Sequence, residues 1–410
     1  MLYSIGFFIF SIFYLPALIF KGKLHGSFAE RFSIFDADKK DRLLRGSGRI
    51  WIQAVSVGEV ALCKSLVPAL KEKYPGRDIV ISTITKTGND LAKKLFSKEA
   101  IVIYFPLDFL FIARKAVSLI KPSLYIMIET EIWPNVIKAL GASAVPCVMI
   151  NGRISDRSIG KYRLAKPFLK GTLNSITAFC MQDDIDARRI IELGATADRV
   201  TVTGNMKFDM AMPAGLKDLT ELMRSFGLKE GDKLIVGGST HEGEESALLE
   251  AFGKLRAQFP GLKLLIAPRH VERAASIRKM IEERALASDG SVILLDRIGH
   301  LNEAYSLATI VFVGGSLIEH GGQNPIEPAY LAKPILFGRH MFNFKYVTKA
   351  LLGEKAVMQV FSVEDLYEKL KVLLEDANLR KELGERAKKV IENNTGATAK
   401  NITRIGGVLA

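Results

Sequence analysis

RIWIQAVSVGEVALCKSLVPALKEKYPGRDIVISTI, residues 49–84, sets the pattern on which the rest of the chain is built. Arg49–Ser56 is almost continuously apolar, Gly58 makes a turn, Glu59 opens a helical stretch, and Asp78–Thr85 is apolar again. A strand with no polar alternation is one covered on both faces, as in a parallel sheet, and strand–helix–strand is a βαβ unit. The same signature recurs at Ala100–Leu107, Leu124–Glu129, Val145–Asn151, Ile176–Gln182 and Val200–Gly204. It restarts at Lys233–Gly238, Leu262–Pro268, Ser291–Asp296, Thr309–Gly314, Pro334–Gly338 and Ala356–Val360. Between the two series, residues 211–231 begin with Pro and Gly and contain no strand; they read as a linker with one short helix. Residues 363–395 are polar and helical, with acids and lysines three to four apart, and one of these closing helices is expected to return to the first domain. The expected fold is α/β: two Rossmann-like, doubly wound domains facing a cleft, residues 21–210 and 232–395, with a tail over 396–410.

The 410 residues agree with two or three domains. Hydrophobic residues are 48% and charged residues 25%, which excludes disorder, collagen and coiled coil as descriptions of the whole chain. Cys63, Cys147 and Cys180 form no CxxC pair, so neither a disulfide framework nor a structural zinc site is expected, and a reducing compartment is.

The formal charge of +13 is lopsided, with residues 1–210 carrying +11. A basic half points to an anionic partner, or only to a solvated face. No nucleic-acid motif accompanies it, so nucleic acid is not expected as a partner. Residues 1–20, MLYSIGFFIFSIFYLPALIF, carry no charged side chain, and about 20 apolar residues suffice to cross a bilayer. Basic residues follow the run and none precedes it, which places the body in the cytoplasm. No small-x-small site follows Phe20, so a cleaved signal peptide is disfavoured. A membrane span and an in-plane anchor both remain open.

Ligands of open α/β sheets bind at the carboxyl ends of strands. There, Glu59 in SVGE (56–59) is either a first-turn acid that suits the helix dipole or a general base. Glu129 and Glu131 in ETEIWPN (129–135) either cap and pair locally or serve the site. Lys207 in GNMKFD (204–209) is either solvated or holds an anion. In the second half, the turns at Gly237-Gly238 and Gly314-Gly315 offer backbone N–H groups to an anion, without Walker A or GxGxxG spacing. Arg269 ends a strand and can fork onto a phosphate. Asn324 and Glu327 have capping-box spacing, and Glu327 can accept two ribose hydroxyls. His25, His241, His270, His300, His320 and His340 show no metal-binding spacing, and no serine sits in GxSxG.

Taken together these segments resemble the bacterial 3-deoxy-D-manno-octulosonic acid (Kdo) transferases of lipopolysaccharide synthesis. The resemblance covers nearly the whole chain. It rests on the apolar N-terminus, SVGE, ETEIWPN, NGR (151–153), GNMKFD, GGSTHEGEE (237–245), APRH (267–270), FVGGSL (312–317), GGQNPIEP (321–328) and FNF (342–344). It implies a B-type glycosyltransferase fold, inverting and metal-independent, with CMP-Kdo as donor and the lipid A precursor, a bisphosphorylated acylated disaccharide, as acceptor. By resemblance, Glu59 is the general base, and Glu129 and Lys207 support the transition state. Pro268 and Arg269 contact CMP, as do Asn324, Pro325, Ile326 and Glu327. A third CMP segment aligns with Ile298, Gly299 and His300, where the family more often has Met-Gly-Glu, so His300 departs from the pattern. The implied location is the cytoplasmic face of the inner membrane. The rival readings are a UDP-dependent disaccharide synthase or epimerase on the same scaffold, and an exported solute-binding lipoprotein.

Overall fold

The computed structural model describes residues 28–211, 218–286, 290–297 and 299–409. The anchor expected over residues 1–20 lies outside them. Among the described residues no helix is long and apolar enough to cross a membrane. The chain divides into two compact units, one running to Met210 and including Thr395–Ala410, the other Ala211–Asn394.

The first unit holds β1 (Arg49–Gln53), β2 (Ile79–Thr83), β3 (Ala100–Tyr104), β4 (Pro122–Ile128), β5 (Cys147–Gly152), β6 (Ala178–Met181) and β7 (Val200–Val202). They form one parallel sheet in the order β3-β2-β1-β4-β5-β6-β7. Every residue of β1, β2 and β3 is buried. The period of two survives inside these apolar runs. Trp51, Ile103, Tyr125, Met127, Met149 and Phe179 pack in one core, and Ile50, Ile52, Ile81, Ile126, Ile128, Val148 and Ile150 in another. Helix Val57–Lys73 lies in the second core, burying Val60, Cys63, Val67 and Leu70 at the three-to-four spacing of one helical face.

Residues 396–410 are no loose tail. Ala397–Leu409 is a helix whose Ala397, Ile402 and Ile405 complete that same core. Asp209, the last residue of GNMKFD, accepts from Gly396 N at 2.7 Å and Thr398 N at 2.5 Å, so it caps the helix from the far end of the unit's sequence. Lys73 Nζ donates to Ile402 O at 3.2 Å. Its partners lie 187 to 333 residues away in the chain, which is why it reads locally as a tail.

The second unit holds β8 (Lys233–Thr240), β9 (Leu262–Pro268), β10 (Val292–Leu294), β11 (Ile310–Val313), β12 (Ile335–Gly338) and β13 (Met358–Val360). Its parallel order is β10-β9-β8-β11-β12-β13. Within the expected linker, Leu219–Ser225 is a short helix, and residues 212–217 lie outside the described residues. Each sheet reverses its direction of growth once, between β1 and β4 in the first and between β8 and β11 in the second. These are the two switch points at which a doubly wound sheet opens a crevice for ligand. Cys63, Cys147 and Cys180 are buried free thiols.

Candidate active site

At the first switch point β1 gives way to helix Val57–Lys73, whose N-cap is Ser56. A serine there ordinarily accepts from a helix N–H. Ser56 makes no such bond. Its hydroxyl instead donates to Glu59 Oε1 at 2.9 Å, while Val55 N donates to Glu59 Oε2 at 2.7 Å. The local rule is broken in favour of aiming one carboxyl. Glu59 is 7% exposed. Burial pushes its pKa up to about 8, the charges of Glu129 and Glu131 add to the rise, and the two hydrogen bonds oppose it. A carboxyl that titrates near neutrality is suited to taking a proton.

Glu129 follows β4 directly, with φ of 61°. A non-glycine residue in this region costs about 1–2 kcal/mol. Its N–H is fixed on Ile150 O at 2.9 Å. Asn151, next along β5, is also left-handed, with φ of 53°. Left-handed residues at strand ends of a crevice are strain of the kind that functional sites hold. Glu131 is half-buried, and burial, joined by the Glu129 charge, raises its carboxyl above the ordinary range. Lys207 sits on the short turn Met206–Ala211. Burial lowers its ammonium pKa and the Arg153 guanidinium adds to that, while Glu129 and Glu59 pull the other way. The fold thus brings Glu59, Glu129 and Lys207 into one electrostatic cluster from three distant stretches of sequence. Arg153 joins them, its backbone tied to Thr130 by Arg153 N to Oγ1 at 3.1 Å. The resemblance includes NGR (151–153) but assigns Arg153 no part.

At the second switch point the GGST and GGS turns differ from expectation. The N–H groups of Gly315 and Ser316, and those of His241 and Leu317 just past the turns, are not left for a substrate anion. The fully buried Glu244 carboxylate accepts from His241 N at 2.9 Å, Gly315 N at 2.6 Å, Ser316 N at 2.9 Å and Leu317 N at 3.0 Å. Gly314 permits this closeness: a Cβ on it would lie 2.4 Å from Ser239 O. Glu245, also fully buried, takes a forked pair from Arg273 at 2.7 and 3.2 Å and the Thr240 hydroxyl at 2.9 Å.

Pro268 is buried at the end of β9, and Arg269 follows it exposed, its N–H donating to Thr240 O at 2.9 Å. Asn324 Nδ2 donates to Glu327 Oε1 at 3.1 Å and Asn324 Oδ1 accepts from Ile326 N at 3.1 Å, so the two side chains pair, but Pro325 and not Asn324 precedes helix Ile326–Tyr330 and the expected capping box does not form. Ile326 is core and Pro325 is buried, which leaves Asn324 and Glu327 as the half-buried side chains of the segment. Ile298 lies outside the described residues. Gly299 is exposed with φ of 99°, and His300 Nδ1 lies 2.6 Å from Glu303 Oε2, so that imidazole already has a partner. Helix Leu301–Leu307 packs on helix Ile326–Tyr330, joining these two segments. Three histidines far apart in sequence also come together. His241 stacks on His320 at 4.3 Å, meets His270 edge-on at 5.7 Å, and lies 3.1 Å from Gln323 through Nε2. Burial, then the neighbouring imidazoles, lower the His241 pKa to about 4, so the ring is neutral at physiological pH. Among the described residues no group of three or more His, Cys, Asp or Glu side chains is arranged to hold a metal ion.

Residues 26–210 match the family described as 3-deoxy-D-manno-octulosonic-acid transferase, and residues 220–390 match glycosyl transferases group 1. A 3-deoxy-D-manno-octulosonic acid transferase of Haemophilus influenzae is 33% identical over 360 residues, spanning 85% of this chain and 84% of that one. This chain belongs to the Kdo transferase family. The transferase is 27% identical to a Chlamydia pneumoniae member over 93% of its own length and 90% of that protein's. A solved UDP-GlcNAc 2-epimerase from Neisseria meningitidis aligns with 88% of the transferase at TM-score 0.62 and 16% identity, a likeness of fold alone. The transferase is therefore a glycosyltransferase of two parallel-sheet α/β domains.

Proposed function

We propose that this enzyme moves Kdo from CMP-Kdo to the 6′-hydroxyl of a lipid A precursor, an acylated disaccharide bisphosphate, in lipopolysaccharide synthesis. The observation that carries the reading is the Glu59 carboxyl, buried, aimed by Val55 N–H and Ser56 Oγ, and titrating at about 8. In its ionised form Glu59 takes the proton of the acceptor hydroxyl. That oxygen forms a bond to the anomeric carbon as the bond from that carbon to the CMP phosphate oxygen breaks, with its electron pair leaving on the phosphate. Attack opposite the leaving group inverts the centre. General-base assistance of this kind is worth about 10²–10⁴-fold in rate.

Lys207, with Glu129 beside it, supports the charge that develops during transfer. Pro268, Arg269 and Asn324 to Glu327 hold the cytidylate. Gly299 and His300 contribute through backbone, because the His300 ring is engaged by Glu303. A nucleoside monophosphate is a competent leaving group, so no metal ion is called for, and turnover should survive EDTA. The acidic, acylated acceptor fits the +11 first half, and residues 1–20 keep the enzyme at the cytoplasmic face of the inner membrane. The decisive experiment is incubation with CMP-Kdo and lipid A precursor followed by mass analysis. A product heavier by one or more Kdo supports the reading, whereas no product together with tight UDP and weak CMP binding overturns it. Deleting residues 1–20 should release the protein from membranes and leave its chemistry.

A further inference from the structure

Next to the charged cluster lies a buried chain of amides to which neither the resemblance nor the proposed reaction gives a part. Asn151, Gln182 and Asn205 stand at the ends of β5 and β6 and just past β7, with exposures of 0%, 3% and 4%. Asn151 Oδ1 accepts from Met206 N at 3.0 Å. Gln182 Nε2 donates to Asn151 O at 3.0 Å. Asn205 Nδ2 donates to Gln182 Oε1 at 3.0 Å. Asn205 Oδ1 accepts from Lys207 N at 2.9 Å, and Asn205 O accepts from Phe208 N at 3.1 Å. The backbone of Lys207 thus hangs from β5 and β6 through side-chain amides. The same stretch of β5 fixes Glu129, whose N–H bonds Ile150 O.

Burying amides is costly where apolar side chains would serve for packing. The Asn151 Nδ2 group is buried with no protein partner, and Asn151 is held left-handed as well. Packing does not account for such an arrangement; setting Lys207 in register with Glu129 does. We infer that Gln182 is a positioning residue for Lys207, acting through Asn205, and that the chain Asn151–Gln182–Asn205 fixes where the cation meets the reacting groups. The catalytic half of this inference rests on the part proposed above for Lys207.

The test uses the whole protein with Gln182→Met, which keeps the volume and removes both hydrogen bonds. A second variant, Gln182→Leu, is likewise uncharged and removes the same two hydrogen bonds. Folding is checked by circular dichroism and thermal melting. Two readouts follow: steady-state Kdo transfer, and the titration of Lys207 seen by NMR after reductive ¹³C-methylation, its signal assigned by its loss in Lys207→Arg. The expected result is a kcat lower by about ten- to a hundredfold, in the range that a small misplacement produces. The KM for CMP-Kdo should stay within about twofold. The Lys207 titration should move up toward that of an exposed lysine. A Lys207 titration that stays in place in either folded variant overturns the assignment, whatever the rate does. A titration that moves in a series whose wild-type protein transfers no Kdo upholds the positioning and overturns the catalytic reading instead.

Discussion

Glu59 and Glu244 occupy equivalent places in the two domains. Each lies in the first turn of the helix that follows the first strand of its sheet, beside the switch point, and each is buried. They differ in what reaches them. A carboxylate has about four lone-pair positions. Four backbone N–H groups fill those of Glu244, and it ties the turn after β11 to the turn after β8. Glu59 receives one N–H and one hydroxyl, which orient it and leave capacity for a proton. A residue type at a topological position therefore does not fix its chemistry; the number of donors that the neighbouring backbone presents decides whether the carboxyl keeps room for a proton.

The largest effect expected from this contrast is on turnover. Glu59→Gln should lower Kdo transfer by about 10²–10⁴-fold, with CMP affinity and the far-ultraviolet spectrum unchanged. Near-wild-type turnover would break the comparison at its active end. Glu244→Ala should instead fail in folding. It strands four buried N–H groups at about 1–3 kcal/mol each, so urea denaturation should show a loss of several kcal/mol. A Glu244→Ala protein as stable as wild type would break the other end.

The pH dependence sharpens the point. With Glu59 as the proposed base, acting in its ionised form, transfer should rise with pH through about 8 and then level. Stability has the opposite sign. The folded pKa of Glu59 lies above its unfolded value of 4.5, so its favourable contribution is complete below 4.5 and is lost as pH rises through about 8. Glu59→Gln should accordingly melt higher than wild type at pH 9 and not at pH 4. Melting curves that run parallel at both pH values would reject the raised pKa.

Smaller effects concern the supports. Asp209→Ala uncaps the final helix and should cost about 1 kcal/mol by denaturant titration. His300→Ala should cost about 0.5–1.5 kcal/mol of stability, the worth of its hydrogen bond to Glu303, and leave CMP affinity nearly unchanged in calorimetry. A large loss of CMP affinity would show that its imidazole, and not the backbone, meets the nucleotide.

Much of this was legible in the chain. All thirteen apolar runs are strands, some trimmed at their ends, and each site residue that the structure describes sits at the strand end or helix start where its motif suggested. The departures have one cause. The GGST and GGS turns read as an open anion cradle because nothing local says that Glu244 folds back into them. Asn151, Gln182 and Asn205 drew no reading of their own, because they lie 31 and 23 residues apart in the hydrogen bonds they share. Ala397–Leu409 read as a tail because the core it fills belongs to the first domain.

The sequence by itself determined the two parallel sheets and the placing of Glu59, Glu129, Lys207, Arg269 and Asn324 at their carboxyl edges. Apolar runs, glycine turns and helix starts are properties of neighbouring residues. Only the tertiary structure decided which buried acid keeps room for a proton, which amides hold Lys207, and where the last helix docks. Those outcomes depend on the N–H groups and charges that distant segments bring within about 3 Å, the range over which a hydrogen bond acts.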